Sequence, residues 1–327
     1  MKSKKNKDKY IIFGAPAIED AEIKEVVKTL RSGWLGTGPK VAQFENDICN
    51  YVGAQHGVAL NSCTAGLHMS LLACGIGPGD EVITTPMTFC ATANTIIHAG
   101  GTPVFVDVDI DTMNIDVSKI EKAITKKTKV ILPVHMAGRP CNMDEIMRIA
   151  RKIGSIADLT CFSFYVTKNI VTGEGGTVTT NNKEFSDQIK VYGLHGMSKD
   201  AWKRYSDDGY KHYDVIFPGF KYNMMDIQAS IGIHQLKRID KYAKVREKIW
   251  DYYMQELHLR GIGAGVHFNP VHLYGYYRDK FGYKEGDYPN AEFIGRRTVS
   301  LPLSAKLTMQ DAKRIVAAIK EILKRKK

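Results

Sequence analysis

The stretch Cys161–Thr180, reading CFSFYVTKNIVTGEGGTVTT, concentrates groups able to do chemistry. A hydroxyl, Ser163, sits in a short apolar run, and an amine, Lys168, follows it. The glycine-rich turn Gly173-Glu174-Gly175-Gly176 and the alternating Thr177–Thr180 come next. This order predicts a lysine on a bend between two strands. A lysine so placed can form a Schiff base with a carbonyl when burial or a nearby positive charge lowers its pKa, and the glycines let backbone approach a planar ring closely. Taken alone, Lys168 reads as a surface-loop lysine; the elements around it change that.

Upstream, an arm at Tyr10–Pro16 leads into a helix with Ile23, Val26, Val27 and Leu30 at i, i+3, i+4 and i+7, which stops at Ser32-Gly33. Val58–Leu60 reads as a short buried strand, then Asn61-Ser62-Cys63-Thr64-Ala65-Gly66 opens a helix over Leu67–Cys74. Small residues at a strand-to-helix turn leave N–H groups free at a helix N-terminus, where the dipole favours a phosphate. Strands are expected at Glu81–Thr85, Pro103–Asp107 and Lys129–Pro133. Helices are expected at Ala91–Ala99, Val117–Ala123 and Met143–Lys152. This β-α alternation predicts a mainly parallel sheet with helices on both faces. Farther on, helical patterns cover Asp226–Leu236, Gln235–Glu256 and Gln310–Leu323.

Bulk properties exclude several classes. The net charge of +11 lies mostly at the ends: residues 1–9 carry +4 and Lys324–Lys327 another +4, leaving +3 for the body. Basic ends on a nearly neutral body are solvated tails, which argues against a nucleic-acid partner. The six cysteines form no CxxC pair and lie mostly in apolar stretches, as buried thiols in a reducing cytoplasm do. No run approaches membrane-spanning length, so no membrane partner is expected. His267 and His272 lack further ligands at helical or hairpin spacing, so no metal is expected either.

SFYVTKN followed by TGEGG resembles the lysine segment of the DegT/DnrJ/EryC1/StrS family, the pyridoxal-phosphate-dependent nucleotide-sugar aminotransferases. The resemblance runs from about Tyr10 to Leu323. It implies a fold type I α/β architecture: a PLP-binding large domain over 10–236 behind the tail 1–9, and a reduced C-terminal α/β domain over 237–327. It implies that Lys168 carries the cofactor, that Ser163, Thr64 and Ala65 hold its phosphate, and that Phe89 stacks on its ring. It places Trp34, His195, His267 and His272 near the substrate, and has Asn223 reach across a homodimer to the partner's phosphate. The implied reaction moves an amino group, from glutamate, to the keto carbon of a nucleotide-linked deoxy sugar for amino-sugar and surface-polysaccharide synthesis. Lys168, its pKa tuned toward neutrality, would also serve as general acid/base.

The chain departs from the family's pattern twice. After the helix matching Met143–Lys152, relatives carry a buried strand and an acidic turn of the form VIEDAAHA. Here Ile153 runs directly into Gly154-Ser155. The aspartate lost with that turn keeps the pyridine nitrogen protonated, which makes the ring an electron sink. Asp158, the nearest acid, aligns beyond the missing segment and is not assigned the role. A second loss falls between Glu256 and His258, where relatives have several strands and a helix. Missing strands should leave exposed edges or force re-pairing. A catalytically impaired cofactor-binding or regulatory relative is therefore the alternative. A PLP-dependent sugar dehydratase is disfavoured, because those relatives replace the lysine with histidine.

Overall fold

The computed structural model describes residues 11–12, 14–152, 159–198, 214–258, 268–298 and 300–324. The basic tail 1–9, Asp158 and His267 lie outside the described residues. In chain order the elements are helices α1 (Asp20–Ser32) and α2 (Pro39–Val52), strand β1 (His56–Leu60), α3 (Cys63–Ala73), β2 (Glu81–Thr84), α4 (Ala91–His98), β3 (Thr102–Phe105), α5 (Val117–Ala123), β4 (Thr128–Ile131) and α6 (Met143–Lys152). Then follow β5 (Leu159–Ser163), β6 (Gly176–Thr180), α7 (Lys183–Tyr192), α8 (Asp226–Lys237), α9 (Ile239–His258), α10 (Gly275–Phe281), α11 (Pro289–Arg297) and α12 (Met309–Lys324).

Local chemistry sets these bounds. Pro39 opens α2, where its missing N–H costs nothing, and Gly53 closes it in the left-handed region at φ 74°. The Ser62 side chain caps α3 by accepting from the Ala65 N–H at 3.1 Å. The Asn182 carboxamide does the same for α7.

The strands form two three-stranded sheets, ordered β1-β6-β5 and β3-β2-β4. The second is wholly parallel. In the first, β6 runs antiparallel to both neighbours. Among the described residues β4 and β5 belong to different sheets and do not pair with each other. Helix α3 holds the two sheets together: Leu72 belongs both to the core over β1, β5 and β6 and to the core over β2 and β4. On the opposite face of β2 and β4, α5 and α6 bury Ile83, Ile131, Ile146 and Ile149. The architecture is α/β with helices on both faces.

The apolar stripe of α1 faces solvent, with Ile23 55% and Leu30 50% exposed. The helix instead buries its polar side on α8: Thr29 Oγ1 lies 2.7 Å from Ser230 Oγ, and Glu22 pairs with Arg238 and Gln235. Beyond α8 the described residues contain helices only, in two groups. Helices α9 and α12 enclose a core of Ile249, Tyr253, Ala312 and Val316 that also takes in Ile11. The 268–298 segment lies on the sheet, where Val271 and Tyr277 pack against Phe105 and Ala93, and Ala291 and Ile294 against Met87 and Val108.

Candidate active site

Three elements converge around Lys168. Ser163 ends β5, and its partner across the ladder is Gly176, the first residue of β6. A Cβ on Gly176 would stand 2.5 Å from the Cys63 nitrogen and 2.7 Å from the Ser62 carbonyl carbon, so the start of β6 touches the N-terminus of α3 backbone to backbone. The loop joining the strands turns tightly at the lysine, whose N–H donates to the Tyr165 carbonyl at 2.8 Å. Its amine is close enough to Cys63 that its charge opposes the burial that pushes that thiol up to about 11. Lysine, serine hydroxyl and helix N-terminus therefore surround one place.

The α3 terminus suits an anion. Its first N–H groups have no carbonyl within the helix to bond, and the dipole adds partial positive charge. Ala65 is a partial exception to its expected role, because its N–H is taken by Ser62 Oγ; the N–H groups of Cys63 and Thr64 are the better donors. Among the described residues Ser163 Oγ receives only a long 3.4 Å bond from the Tyr165 N–H and keeps its own proton to donate. These residues fit a phosphate with a carbonyl-bearing ring above it: hydroxyl and helix dipole for the dianion, lysine for the carbonyl, and a glycine where a side chain would block approach. Phe89, just beyond β2, is 60% exposed with its ring 6.3 Å from that of Phe268, so a face is open for stacking.

The remaining expected residues divide. Trp34 and Asn223 line a separate cavity of about 450 Å³ together with Thr37, Glu45 and Lys190, and Lys168 is not in its wall. Asn223 bridges to Leu60 of its own chain and donates to Thr37 Oγ1 at 2.6 Å, while its carbonyl oxygen is buried without a partner among the described residues. His195 is exposed in a left-handed turn at φ 57°. His272 is fully buried, with Nε2 3.0 Å from Glu292 Oε1. Burial holds its imidazole below the ordinary value despite the carboxylate, so it acts as a core group under α11.

Two supports were not expected from the sequence. Asp226 accepts from the N–H groups of Gly38, Lys40 and Val41 at 2.8 to 3.0 Å and so fixes the loop that carries Trp34. An acid in the first turn of α8 was the only local signal, since its partners are some 185 positions away. Gly14–Ala17 of the N-terminal arm and Arg246 of α9 line the cleft behind Lys168, and Arg246 donates to the Asn169 carbonyl at 2.9 Å.

Comparison with known proteins places this geometry. The DegT/DnrJ/EryC1/StrS aminotransferase family profile matches residues 16–154, 150–260 and 254–320. The chain is 44% identical to the spore coat polysaccharide biosynthesis protein SpsC of Bacillus subtilis, over 96% of this chain and 97% of that one. It is 37% identical to the UDP-4-amino-4-deoxy-L-arabinose–oxoglutarate aminotransferase of Shewanella sediminis, over 97% and 99%. Among solved structures, Spr1654 of Streptococcus pneumoniae in its PLP form superimposes with a TM-score of 0.85 at 32% identity, covering 96% of this chain and 99% of that one. The two sequence alignments run to 379 and 383 positions against 327 residues here, and the profile match breaks near 150–154 and 254–260. Both breaks fall where the two internal segments are missing.

Proposed function

Because the chain belongs to the DegT/DnrJ/EryC1/StrS aminotransferase family, whose members are PLP-dependent, we propose that it transfers an amino group from glutamate to the keto carbon of a UDP-linked deoxy sugar. The convergence of Lys168, Ser163 and the α3 N-terminus carries this reading. The sugar nucleotide and the glutamate/oxoglutarate pair are supported by the name of the Shewanella relative, and a polysaccharide destination by that of SpsC.

In this reading the N–H groups of Cys63 and Thr64 and the Ser163 hydroxyl bind the cofactor phosphate, and Phe89 covers one ring face. When bound, the cofactor supplies an electron sink for the carbanion left when the amino-bearing carbon loses its proton. The Lys168 amine takes that proton and returns it to the other end of the shifted system, a general acid/base role. Trp34 and His195 border the sugar-nucleotide side.

The sites are shared between two copies in a homodimer, with Asn223 and Trp34 serving the neighbour. That accounts for their separation from Lys168 within one chain and for the unpartnered Asn223 carbonyl. Mixing Lys168→Ala chains with Asn223→Ala chains should restore one intact site per hybrid dimer, read as recovered cofactor binding. An unrescued mixture would place both residues in the same site.

The missing acid makes turnover the weak point. A charged hydrogen bond of this kind contributes roughly 1.5–3 kcal/mol, and about 1.4 kcal/mol at the barrier is tenfold in rate. Grafting a relative's strand and acidic turn between Lys152 and Gly154 should therefore speed the half-reaction with glutamate by about 10- to 100-fold, followed as conversion from the PLP to the PMP form. An ungrafted chain that already matches the graft would mean that another acid serves the ring, or that none is needed. Tight cofactor binding without conversion would favour the alternative, a cofactor-binding or regulatory relative.

A further inference from the structure

Among the described residues three that are not glycine take left-handed backbone angles: Met113, Ala137 and His195. Such angles are costly for a residue with a side chain, persist only where the surroundings hold them, and cluster at sites that bind or act. Met113 and Ala137 are joined by one side chain. Asn114 is buried; its Oδ1 accepts from the Met136 N–H at 2.9 Å, and its Nδ2 donates to the carbonyls of Arg139 and Pro140, each at 3.1 Å. Arg139 in turn donates to the Asp111 carbonyl at 3.2 Å. The turn Met136–Gly138, with Ala137 at φ 51°, is thus pinned to the loop that holds Met113 at φ 61°.

The residue that enters this braced turn is His135. Its ring is exposed, and its Nδ1 accepts from the Cys141 N–H at 3.1 Å. An Nδ1 engaged as acceptor leaves the ring proton on Nε2, so the loop presents one N–H donor in a fixed orientation.

The position is one where ligands collect. β2, β3 and β4 run parallel, and an open parallel sheet binds its ligands outside the carboxyl ends of the strands. Thr84 Oγ1 donates to the Leu132 carbonyl at 2.8 Å, so β4 ends beside the end of β2, and His135 follows shortly after. Met136 shares a core with Met87, and Phe268 packs on that core with its ring 6.3 Å from that of Phe89. His135 and the exposed Phe89 therefore stand on neighbouring loops over one floor.

We propose that His135 is a specificity-determining contact for the sugar, donating its Nε2–H to a hydroxyl or carbonyl oxygen of the nucleotide-linked substrate. The inference rests on the nucleotide-sugar reading and adds to it a group for the sugar ring. The cofactor's phosphate, carbonyl and ring face already have α3, Lys168 and Phe89. Of the two substrates, the sugar suits a lone N–H, whereas the carboxylates of glutamate call for cations or paired donors.

The test is calorimetric titration of the full-length, PLP-loaded chain with UDP and with UDP-N-acetylglucosamine, a stable UDP-sugar. The wild type should bind the sugar nucleotide more tightly than UDP. His135→Phe should lose about three- to tenfold in affinity for the sugar nucleotide, the ordinary worth of one hydrogen bond, and keep its affinity for UDP, its cofactor content and its melting temperature. His135→Gln, which returns an amide N–H, should recover part of the loss. A histidine that only braces the loop would move the melting temperature and leave the preference for the sugar intact. If the phenylalanine variant does not fold, His135→Ala, which removes the ring at an exposed position, is read in its place. The proposal is overturned if the folded variant keeps the preference, if it loses UDP affinity equally, or if the glutamine brings nothing back. A wild type that binds UDP without preferring the sugar nucleotide overturns the contact alone, and one that binds neither overturns the nucleotide-sugar reading and the contact with it.

Discussion

Lys168→Ala should give a folded protein that no longer holds PLP covalently and no longer transaminates. Borohydride reduction of the wild type followed by peptide mapping should place the cofactor on Lys168, and the variant should show no labelled peptide. Lys168 is exposed on a turn fixed by backbone bonds of its own loop, so removing the amine leaves packing intact and thermal stability near that of the wild type. A general acid/base supplies about 10²- to 10⁴-fold, and loss of the covalent link adds to that, so the glutamate half-reaction should fall by at least this range. Label on another lysine, or a variant that converts glutamate within tenfold of the wild type, would remove Lys168 from the chemistry.

Gly176→Ala should be nearly as damaging, by a different route. The added methyl would meet the backbone of Ser62 and Cys63 at 2.5 to 2.7 Å. Neither is the movable end of a side chain, so α3 or β6 must shift. Overpacking of this kind costs about 1–3 kcal/mol, and the shift falls on the N–H groups assigned to the phosphate. Melting temperature should drop and cofactor affinity should weaken by about tenfold or more, since roughly 1.4 kcal/mol is tenfold in an equilibrium constant. Gly77→Ala is the control, because a Cβ there meets nothing within 4 Å. Unchanged affinity in Gly176→Ala would place the phosphate elsewhere.

The parts of this site that are local in sequence were legible, and those that depend on distant partners were not. Short apolar or alternating runs placed each described strand within about two residues, and small residues after β1 signalled the helix terminus beside Lys168. The stripe on α1 marked a helix without saying which side it buries. Periodicity reports a face, not what that face meets, and here α8 offers Ser230, Gln235 and Arg238 to the polar side. His272 resembles a substrate-side motif, yet Glu292, 20 positions on, claims its ring. Thr37 could not be foreseen as the partner of Asn223, 186 positions away. The division of the sheet was legible in outline, because a helix that returns to no strand must leave an edge.

The Ser304 hydroxyl donates to the Ala15 carbonyl at 2.7 Å, joining positions 289 apart. Closing so large a loop costs about 2 kcal/mol more entropy than closing one of 30 residues, so in time this clasp belongs to the end of folding. The arm it fastens lies against the lysine's own loop, where a Cβ at Gly14 would come within 2.6 Å of Thr167 Cγ2. A ribosome-bound chain can thus assemble its sheets and the α3 terminus before Ser304 has been made. Competence to take up cofactor should then lag behind secondary structure in refolding, arriving with this late and distant contact.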